Sequence, residues 1–210
     1  MNYMGKKYYA VRCGKTPGIY MTWETCKAQV EGFSGAVYKS FTNIEEADAF
    51  MNLDASVSVS GETKNYKDIP KDTLIAYVDG SFSEEVGEYG YGAVIFYNGE
   101  EIHISGKGSE EYMISMRNVA GEITAARKVM EYAVEKKCNE ITIYHDYEGI
   151  AKWCQGLWKT NKQGTIEFKE YFDSIRNIVK VGFIKVKGHS GDEYNDLADK
   201  LAKEAIGITT

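Results

Sequence analysis

The chain lacks any apolar run near the roughly 18 residues that a membrane span requires. Its first fourteen residues, MNYMGKKYYAVRCG, also lack the apolar segment and the small-residue cleavage site of a secretory signal. We therefore expect a cytoplasmic location, with no membrane interaction and no obligate protein partner indicated. Cysteine is scarce, and the 4 cysteines form no CxxC pair and have no nearby histidine. This pattern excludes a cysteine zinc site and favours reduced thiols that pack in the interior.

Positive charge is in deficit. The 25 lysines and arginines face 31 aspartates and glutamates, for a net charge of -6. Proteins whose whole surface binds nucleic acid are usually basic throughout, and this charge balance excludes such a surface. The deficit is uneven, because residues 5–43 carry six cations against only Glu24 and Glu31. The N-terminal segment is therefore locally basic, and the rest of the chain is acidic.

A polar stretch divides the chain. Residues 53–72, LDASVSVSGETKNYKDIPKD, show no sustained helical or strand period and are predicted to be a linker between a domain at 5–52 and a domain at 73–206. The first domain has two β-like runs, YYAVRC and AVYKSF. Its two helical segments are TWETCKAQVEGF after an N-cap at Thr22 and NIEEADAFM after an N-cap at Asn43. This is a small β/α module.

The second domain starts with strands and continues with alternating helices and strands. TLIAYVDGSF, YGYGAVIFYNG and EEIHISGKG predict a meander with Gly-rich turns. A helix over residues 119–136, the strand EITIYHD, helices near 148–157 and 166–178, the strand VGFIKVKG and the helix NDLADKLAKEA follow. This order predicts an α/β domain, a mixed five-stranded sheet flanked by helices.

Four carboxylates have notable positions. Asp79 and Asp146 each follow an apolar strand, Glu122 lies in the first turns of a helix, and Asp199 lies on the last helix. Residues that directly follow adjacent strands meet at one edge of a sheet. A single aspartate at such a place is usually a turn or capping residue, so the argument depends on the four together.

The motifs around these carboxylates are DGS at 79–81, NVAGE at 118–122, HD at 145–146 and GHSGDEYNDLADKLA at 188–202. In this order they resemble the motifs of type 1 ribonuclease H, and the resemblance covers residues 73–206. It implies a ribonuclease H-like fold and a site formed by Asp79, Glu122, Asp146 and Asp199, with Asp196 as the second choice for the last position. It also implies that His189 assists the activated water or product release.

The resemblance implies an endonuclease that cuts the RNA strand of RNA–DNA hybrids and leaves 5′-phosphate and 3′-hydroxyl ends. Four carboxylates suit two Mg²⁺ ions, or Mn²⁺, because hard divalent cations prefer oxygen ligands. Gly80, Ser81 and Asn118 occupy positions that the family uses to contact substrate, and Arg117 is a candidate phosphate clamp. The alternatives are a catalytically inactive or a DNA-directed nucleic-acid-binding protein on the same fold.

Departures from the family pattern lie beside these substrate positions. Val119 stands where a second polar residue is common, and Tyr147 stands where serine is frequent. The contacts to the DNA-strand phosphate are therefore expected to differ from those of the family. Trp153 and Trp158 are interpreted as packing residues and are left out of the predicted site.

The N-terminal residues 7–51 keep YAV, GIY, TW, AQV and AVYKSF in order. They resemble the viroplasmin-like hybrid-binding domain found at the N-terminus of many ribonucleases H. The resemblance implies that Tyr9 and Trp23 pack on the sugars of the DNA strand, and that Tyr38 and Lys39 add packing and a phosphate contact. Ser40 stands where a second lysine is often found. Without the motif, the three aromatic residues would be interpreted as the core of a small domain.

Overall fold

The computed structural model describes residues 7–33, 36–51, 66, 69–188 and 191–209. The chain divides between Ala55 and Ser56 into an N-terminal unit and a C-terminal unit. Most of the predicted linker at 53–72 lies outside the described residues. No helix in the described ranges is long and apolar enough to cross a membrane.

The N-terminal unit is a three-stranded antiparallel sheet with a helix on each face. Its strands β1 (Tyr8–Cys13), β2 (Gly18–Tyr20) and β3 (Val37–Phe41) lie in the order β2-β1-β3. Helix α1 (Trp23–Val30) packs Cys26 against Val11 of β1. Helix α2 (Ile44–Met51) packs Phe50 against Phe41 of β3. Because alternate strand residues point to opposite faces, the two helices cover opposite sides of the sheet.

The predicted N-caps are present in the N-terminal unit. Thr22 Oγ1 accepts a hydrogen bond from the Thr25 N–H, and Asn43 Oδ1 accepts one from the Glu45 N–H. The helix predicted to run to Phe33 ends at Val30, because Gly32 adopts a positive φ of 74° that stops it. Strand β2 was missed because three residues are too short to show a period.

The C-terminal unit contains the predicted mixed sheet of five strands. These are β4 (Thr73–Ser83), β5 (Glu88–Tyr97), β6 (Glu100–Gly108), β7 (Glu140–His145) and β8 (Lys180–Lys185). The order is β6-β5-β4-β7-β8, with β4 to β6 antiparallel and β4, β7 and β8 parallel. Asn98 and Gly99 between β5 and β6 both have positive φ, as a two-residue hairpin turn requires. The predicted fold class is confirmed.

The described part of the C-terminal unit contains five helices: α3 (Glu111–Ile114), α4 (Asn118–Glu135), α5 (Gly149–Cys154), α6 (Gln163–Ile175) and α7 (Glu193–Ala205). Helix α6 begins three residues before its predicted start, because the Thr165 side chain and the Lys162 backbone form a cap there. The predicted helix near 148–157 is shorter than expected. Helix α3 was not predicted, since a single turn leaves no periodic signal.

Side chains along β4 point alternately to the two faces of the sheet, so successive residues pack against different helices. Leu74, Ala76 and Val78 join the larger core cluster, which also holds residues of α4, α5 and α6. Tyr77 joins a second cluster with Ala198 of α7. By the same alternation Asp79 points to the α7 face and Gly80 to the α4 face. The segment of β4 that holds Asp79 and Gly80 therefore lies between the two helices.

Glycines let the helices approach this part of the sheet closely. A Cβ at Gly80 would lie 2.2 Å from the Asn118 carbonyl oxygen and from the Glu122 nitrogen. A Cβ at Gly92 of β5 would lie 2.2 Å from the Ala198 carbonyl oxygen of α7. Both clashes are with backbone, which cannot rotate away. The glycines therefore set the short distance between the sheet and the helices that carry Glu122 and Asp199.

Candidate active site

Two of the predicted carboxylates come from adjacent parallel strands. Asp79 was expected to follow its strand, but β4 continues to Ser83 because it stays paired with β5, so Asp79 lies inside β4, two residues past the last pair with β7. Asp146 directly follows β7, which pairs with β4 in parallel register. Asp79 is 9% exposed, and its Oδ1 accepts a hydrogen bond from the Gly80 N–H at 2.7 Å. Burial, followed by the charge of Asp146, raises the pKa of Asp79 to about 7. The two carboxylates are therefore close enough to oppose each other's ionisation.

Glu122 reaches the same place from the first turns of α4. It is 2% exposed, and its Oε1 accepts a hydrogen bond from the Tyr147 N–H at 3.2 Å. Burial, and then the charges of Asp146 and Asp79, raise its pKa well above the ordinary value. Such a buried carboxyl without a cation beside it is costly to ionise.

Asp199 completes the acidic set from α7. Its charge contributes to the raised pKa of Asp79, and its Oδ2 accepts a hydrogen bond from Lys203 Nζ at 2.6 Å. Lys203 also lowers the pKa of Asp79, although burial and Asp146 outweigh it. Asp196, the second choice, is exposed in the first turn of α7. The geometry therefore favours Asp199 over Asp196.

The donor set fits hard divalent cations. It consists of carboxylate oxygens. Burial and the neighbouring carboxylates raise the pKa values of two of these groups, Asp79 and Glu122. A bound divalent cation would stabilise the ionised form of both groups. Mg²⁺ commonly binds one or two carboxylates and completes its coordination shell with water and phosphate. Among the described residues, no three His, Cys, Asp or Glu side chains are already arranged closely enough to coordinate one metal ion together.

His189 lies outside the described residues, so its predicted role stays a prediction. The backbone just before it runs past the acidic set. A Cβ at Gly188 would lie 2.5 Å from Asp146 Oδ2.

The predicted substrate residues occupy two places. Gly80 and Ser81 lie in β4, where Ser81 is 8% exposed beside Asp79. Arg117 and Asn118 are exposed at the start of α4, where Arg117 adopts a positive φ of 54° and pairs with Glu84 at 2.7 Å. Gly80 packs directly beneath Asn118. Its close backbone approach is the physical reason for a glycine in the DGS motif.

A groove of about 400 Å³ adjoins Arg117. We call it the Arg117 groove, and its polar, basic and aromatic lining includes Arg117, Asn118, Tyr147, Trp153, Lys159, Asn161 and Lys162. Lys162 Nζ donates to the Ser115 carbonyl oxygen at 2.9 Å, which holds one cation at the rim.

Trp153 is buried in the larger core cluster, which confirms its predicted packing role, but its place in the lining of this groove was missed from the sequence. Tyr147, Trp153 and Trp158 form one aromatic cluster, with ring centroids 5.7 to 6.1 Å apart, and Trp158 is 38% exposed. The charge of Lys203 was also overlooked, since a lysine on an amphipathic helix gives no signal of its own. The aromatic residues in WCQGLW were the signal from which this groove could have been found.

The N-terminal unit presents an aromatic surface. Trp23 lies 5.9 Å from Tyr9 and 5.9 Å from Tyr38, measured between ring centroids. Trp23 is 41% and Tyr38 43% exposed. Lys39 lies on the other face of β3, with Nζ 5.6 Å from the centre of the Phe41 ring. The structure thus brings Tyr9, Trp23 and Tyr38 together as one surface and points Lys39 away from it.

Acidic side chains gathered beside two central parallel strands of a mixed α/β sheet are typical of enzymes that cleave or transfer phosphodiesters, such as nucleases. Comparison with known proteins then gives the family. The model described as RNase H matches residues 71–207, and the model described as Ribonuclease H1 N-terminal domain matches residues 7–51. The chain belongs to the ribonuclease H family and is an endoribonuclease.

Individual relatives agree with this assignment. Human Ribonuclease H1 is 27% identical to the chain, with 94% of this chain and 88% of the human protein covered. Ribonuclease H of Francisella philomiragia is 34% identical, with 67% of this chain and 95% of that protein covered. The crystal structure of LC11-RNase H1 in complex with RNA/DNA hybrid matches with a TM-score of 0.50 and 19% identity, covering 63% of this chain and 99% of that chain. The last likeness shows the fold.

Proposed function

We propose that this chain hydrolyses the RNA strand of RNA–DNA hybrids as an endonuclease that uses two divalent ions, Mg²⁺ or Mn²⁺, and leaves 5′-phosphate and 3′-hydroxyl ends. The observation that carries the proposal is the acidic set itself. Burial and the charge of Asp146 raise the pKa values of both Asp79 and Glu122, and Asp199 lies beside them. Membership of the ribonuclease H family and the hybrid bound by LC11-RNase H1 support this substrate.

Asp79, Glu122, Asp146 and Asp199 are the residues proposed to hold the metal. When bound, divalent ions would supply an activated water and stabilisation of the leaving oxygen. The protein's own contribution is to keep these carboxylates oriented. The Gly80 N–H holds Asp79 and the Tyr147 N–H holds Glu122. Lys203 offsets part of the negative charge before metal binds, through Asp199.

The hybrid is proposed to contact the Arg117 groove as well as the acidic set. Arg117 and Lys159 supply positive charge for a backbone phosphate, and Asn118 supplies hydrogen-bonding groups beside the scissile strand. Ser81 and the backbone of Gly80 are proposed to contact the RNA strand, where the 2′-hydroxyl distinguishes RNA from DNA. His189 is proposed to assist proton transfer, because imidazole titrates near neutral pH.

The N-terminal unit is proposed to bind the hybrid through Tyr9, Trp23 and Tyr38. Exposed aromatic faces stack on sugars or bases, and each stacked group contributes roughly 1–3 kcal/mol. Lys39 would reach phosphate only around the edge of the sheet. Binding is therefore expected to depend more on the aromatic surface than on this lysine.

Cleavage of matched duplexes tests the function. Strand-labelled RNA–DNA, RNA–RNA and DNA–DNA duplexes are incubated with the full chain in Mg²⁺, in Mn²⁺ and in a chelator. We expect cleavage of RNA in the hybrid only, lost in the chelator, with products that a polymerase extends from their 3′-hydroxyl ends. DNA cleavage would favour the DNA-directed alternative. Absence of cleavage in every duplex would favour the inactive binding protein.

Matched variants test the residues. Asp146→Asn and Asp199→Asn are expected to lower hybrid cleavage at least about a hundredfold, as loss of a group required for the reaction does. Asp196→Asn removes the same charge from the exposed side of the same helix and is expected to retain activity. If Asp196→Asn abolishes cleavage and Asp199→Asn does not, the site assignment on α7 is wrong.

A further inference from the structure

His145 is a buried histidine that the proposed chemistry does not use. It ends β7 directly before Asp146 and is 1% exposed. Its Nδ1 lies 3.0 Å from the carbonyl oxygen of Tyr147. A carbonyl oxygen only accepts hydrogen bonds, so Nδ1 carries the proton and donates it. No described residue gives Nε2 a hydrogen-bond partner.

The backbone of Tyr147 connects this imidazole to the acidic set. Its carbonyl oxygen accepts from His145 Nδ1 and also from the Ile150 N–H at 3.2 Å. The N–H of Tyr147 donates to Glu122 Oε1 at 3.2 Å. Asp146 is the one residue between His145 and Tyr147. The two bonded groups of Tyr147 lie in the peptides on either side of its Cα, and the 146–147 peptide also contains the carbonyl of Asp146. A displacement of Tyr147 would therefore move the backbone of Asp146 and the hydrogen bond to Glu122 together.

The imidazole itself is held in one orientation. Its ring lies edge-on to Phe183 of β8, with centroids 6.0 Å apart and planes at 77°. The main-chain oxygen of His145 accepts from the Val186 N–H at 2.9 Å, which ties the end of β7 to the chain just after β8. A ring packed and tied in this way presents its donor in a fixed direction.

We propose that His145 is a positioning residue: its hydrogen bond to the Tyr147 carbonyl fixes the turn that carries Asp146 and orients Glu122. The inference rests on the proposed function only in treating these carboxylates as metal ligands. Partners that orient metal-binding side chains typically change metal affinity or activity about 10–100-fold when removed.

The tautomer of His145 in the wild-type protein gives the first test, and it requires no variant. Nitrogen-15 NMR of the histidine side chains distinguishes an imidazole protonated on Nδ1 from one protonated on Nε2. We expect His145 to be protonated on Nδ1, with that proton protected from exchange. An Nε2-protonated neutral ring would overturn the proposal, because the hydrogen bond to Tyr147 would then be absent.

Two variants of the full chain give the second test. His145→Leu keeps an apolar side chain of similar bulk and removes the donor, whereas His145→Asn keeps an N–H group at about the distance of Nδ1. We expect His145→Leu to weaken Mn²⁺ binding, measured by calorimetry, about tenfold and to lower kcat for hybrid cleavage similarly. The KM for the hybrid should change less than about twofold. His145→Asn should recover most of both losses.

The control is His103→Leu, on the exposed strand β6, where His103 pairs with Glu101. It should leave Mn²⁺ binding and kcat unchanged. If His145→Leu binds Mn²⁺ as the wild type does, or if Asn and Leu are equally impaired, the hydrogen bond has no positioning role. If the wild type binds Mn²⁺ but cuts no hybrid, the proposed function fails, and the tautomer and the Mn²⁺ titrations still decide the role of His145.

Discussion

The environment of Asp79 disfavours its ionised form. Its pKa is raised to about 7 from the ordinary value of 3.8, through burial and then Asp146. The folded state therefore holds a proton on Asp79 between about pH 4 and pH 7, where the unfolded chain has already lost it. Under linkage, the free energy of unfolding of the metal-free protein falls as pH rises through this window.

This gives a prediction for Asp79→Asn. In a chelator at pH 8, the variant should be more stable than the wild type by about 2–4 kcal/mol, because one pKa unit corresponds to about 1.4 kcal/mol. The difference should shrink toward pH 4. Urea unfolding of both proteins across this pH range measures it. A constant difference from pH 4 to 8 would show that ionisation of Asp79 is not its source.

The aromatic surface of the N-terminal unit leads to a prediction at Trp23. Trp23→Ala should weaken hybrid binding about tenfold, in keeping with 1–3 kcal/mol for each stacked group. Fluorescence anisotropy with the full chain carrying Asp146→Asn measures binding without cleavage. Ile44→Ala is the control, since Ile44 is 39% exposed at the start of α2, on the other face of the sheet. Equal effects of the two changes would argue against the aromatic surface.

At the scale of elements, Tyr66 fastens the chain before β4 to the C-terminal unit. It is 8% exposed, its ring stacks on Phe96 at 3.9 Å, and its hydroxyl lies 2.6 Å from that of Tyr77. Tyr77 in turn stacks on Tyr144 at 4.5 Å. Tyr77 and Tyr144 each lie two residues before a carboxylate of the site. An aromatic layer thus lies directly under Asp79 and Asp146.

Substitution at Tyr66 tests how firmly this segment is attached. Tyr66→Phe should cost about 1 kcal/mol by loss of one hydrogen bond, and Tyr66→Ala about 3–5 kcal/mol by loss of a packed ring. Thermal unfolding of the C-terminal unit measures both. Tyr112→Phe, which removes an exposed hydroxyl bonded to Glu167, should change stability little. If Tyr66→Ala leaves the free energy of unfolding unchanged, this segment is not packed on the C-terminal unit.

The sequence predicts elements whose signal is local and periodic. Strands β4 to β8 alternate or run apolar between Gly-rich turns, and α4 and α7 keep helical spacing, so all were expected. β2 and α3 are too short to show a period. Tyr66 was assigned to a linker because its partners, Phe96 and Tyr194, are distant in sequence.

The same limit applies to the site. The four carboxylates were expected together because two of them follow apolar runs and the other two lie on helices, and the resemblance to ribonuclease H joined them. Lys203 and His145 could not be predicted. Their roles depend on which side chain lies opposite, and a single lysine or histidine in a regular element has no distinctive spacing.

At the scale of the whole molecule, the two units are proposed to act on one substrate. A binding unit joined to a catalytic unit raises the local concentration of hybrid around the catalytic site. Deleting residues 1–52 should therefore raise the KM for long hybrids about tenfold or more with little change in kcat. The KM for short hybrids should rise less. Steady-state kinetics on hybrids of increasing length measure this, and an unchanged KM for long hybrids would contradict the proposal.

Salt should act on the two units unequally. Residues 5–43 carry six cations against two acids, whereas the rest of the chain has more acids than cations. Loss of residues 1–52 should therefore also flatten the dependence of hybrid binding on salt concentration.

The anchoring of Tyr66 also bears on how the gene can change over generations. A codon gained or lost between Tyr66 and the start of β4 would pull the ring away from Phe96 and the hydroxyl away from Tyr77, so selection should remove it. Length variation between the two units is instead expected between Met51 and Tyr66. Homologous genes should accordingly vary in length upstream of this tyrosine and keep a fixed spacing from it to the DGS motif.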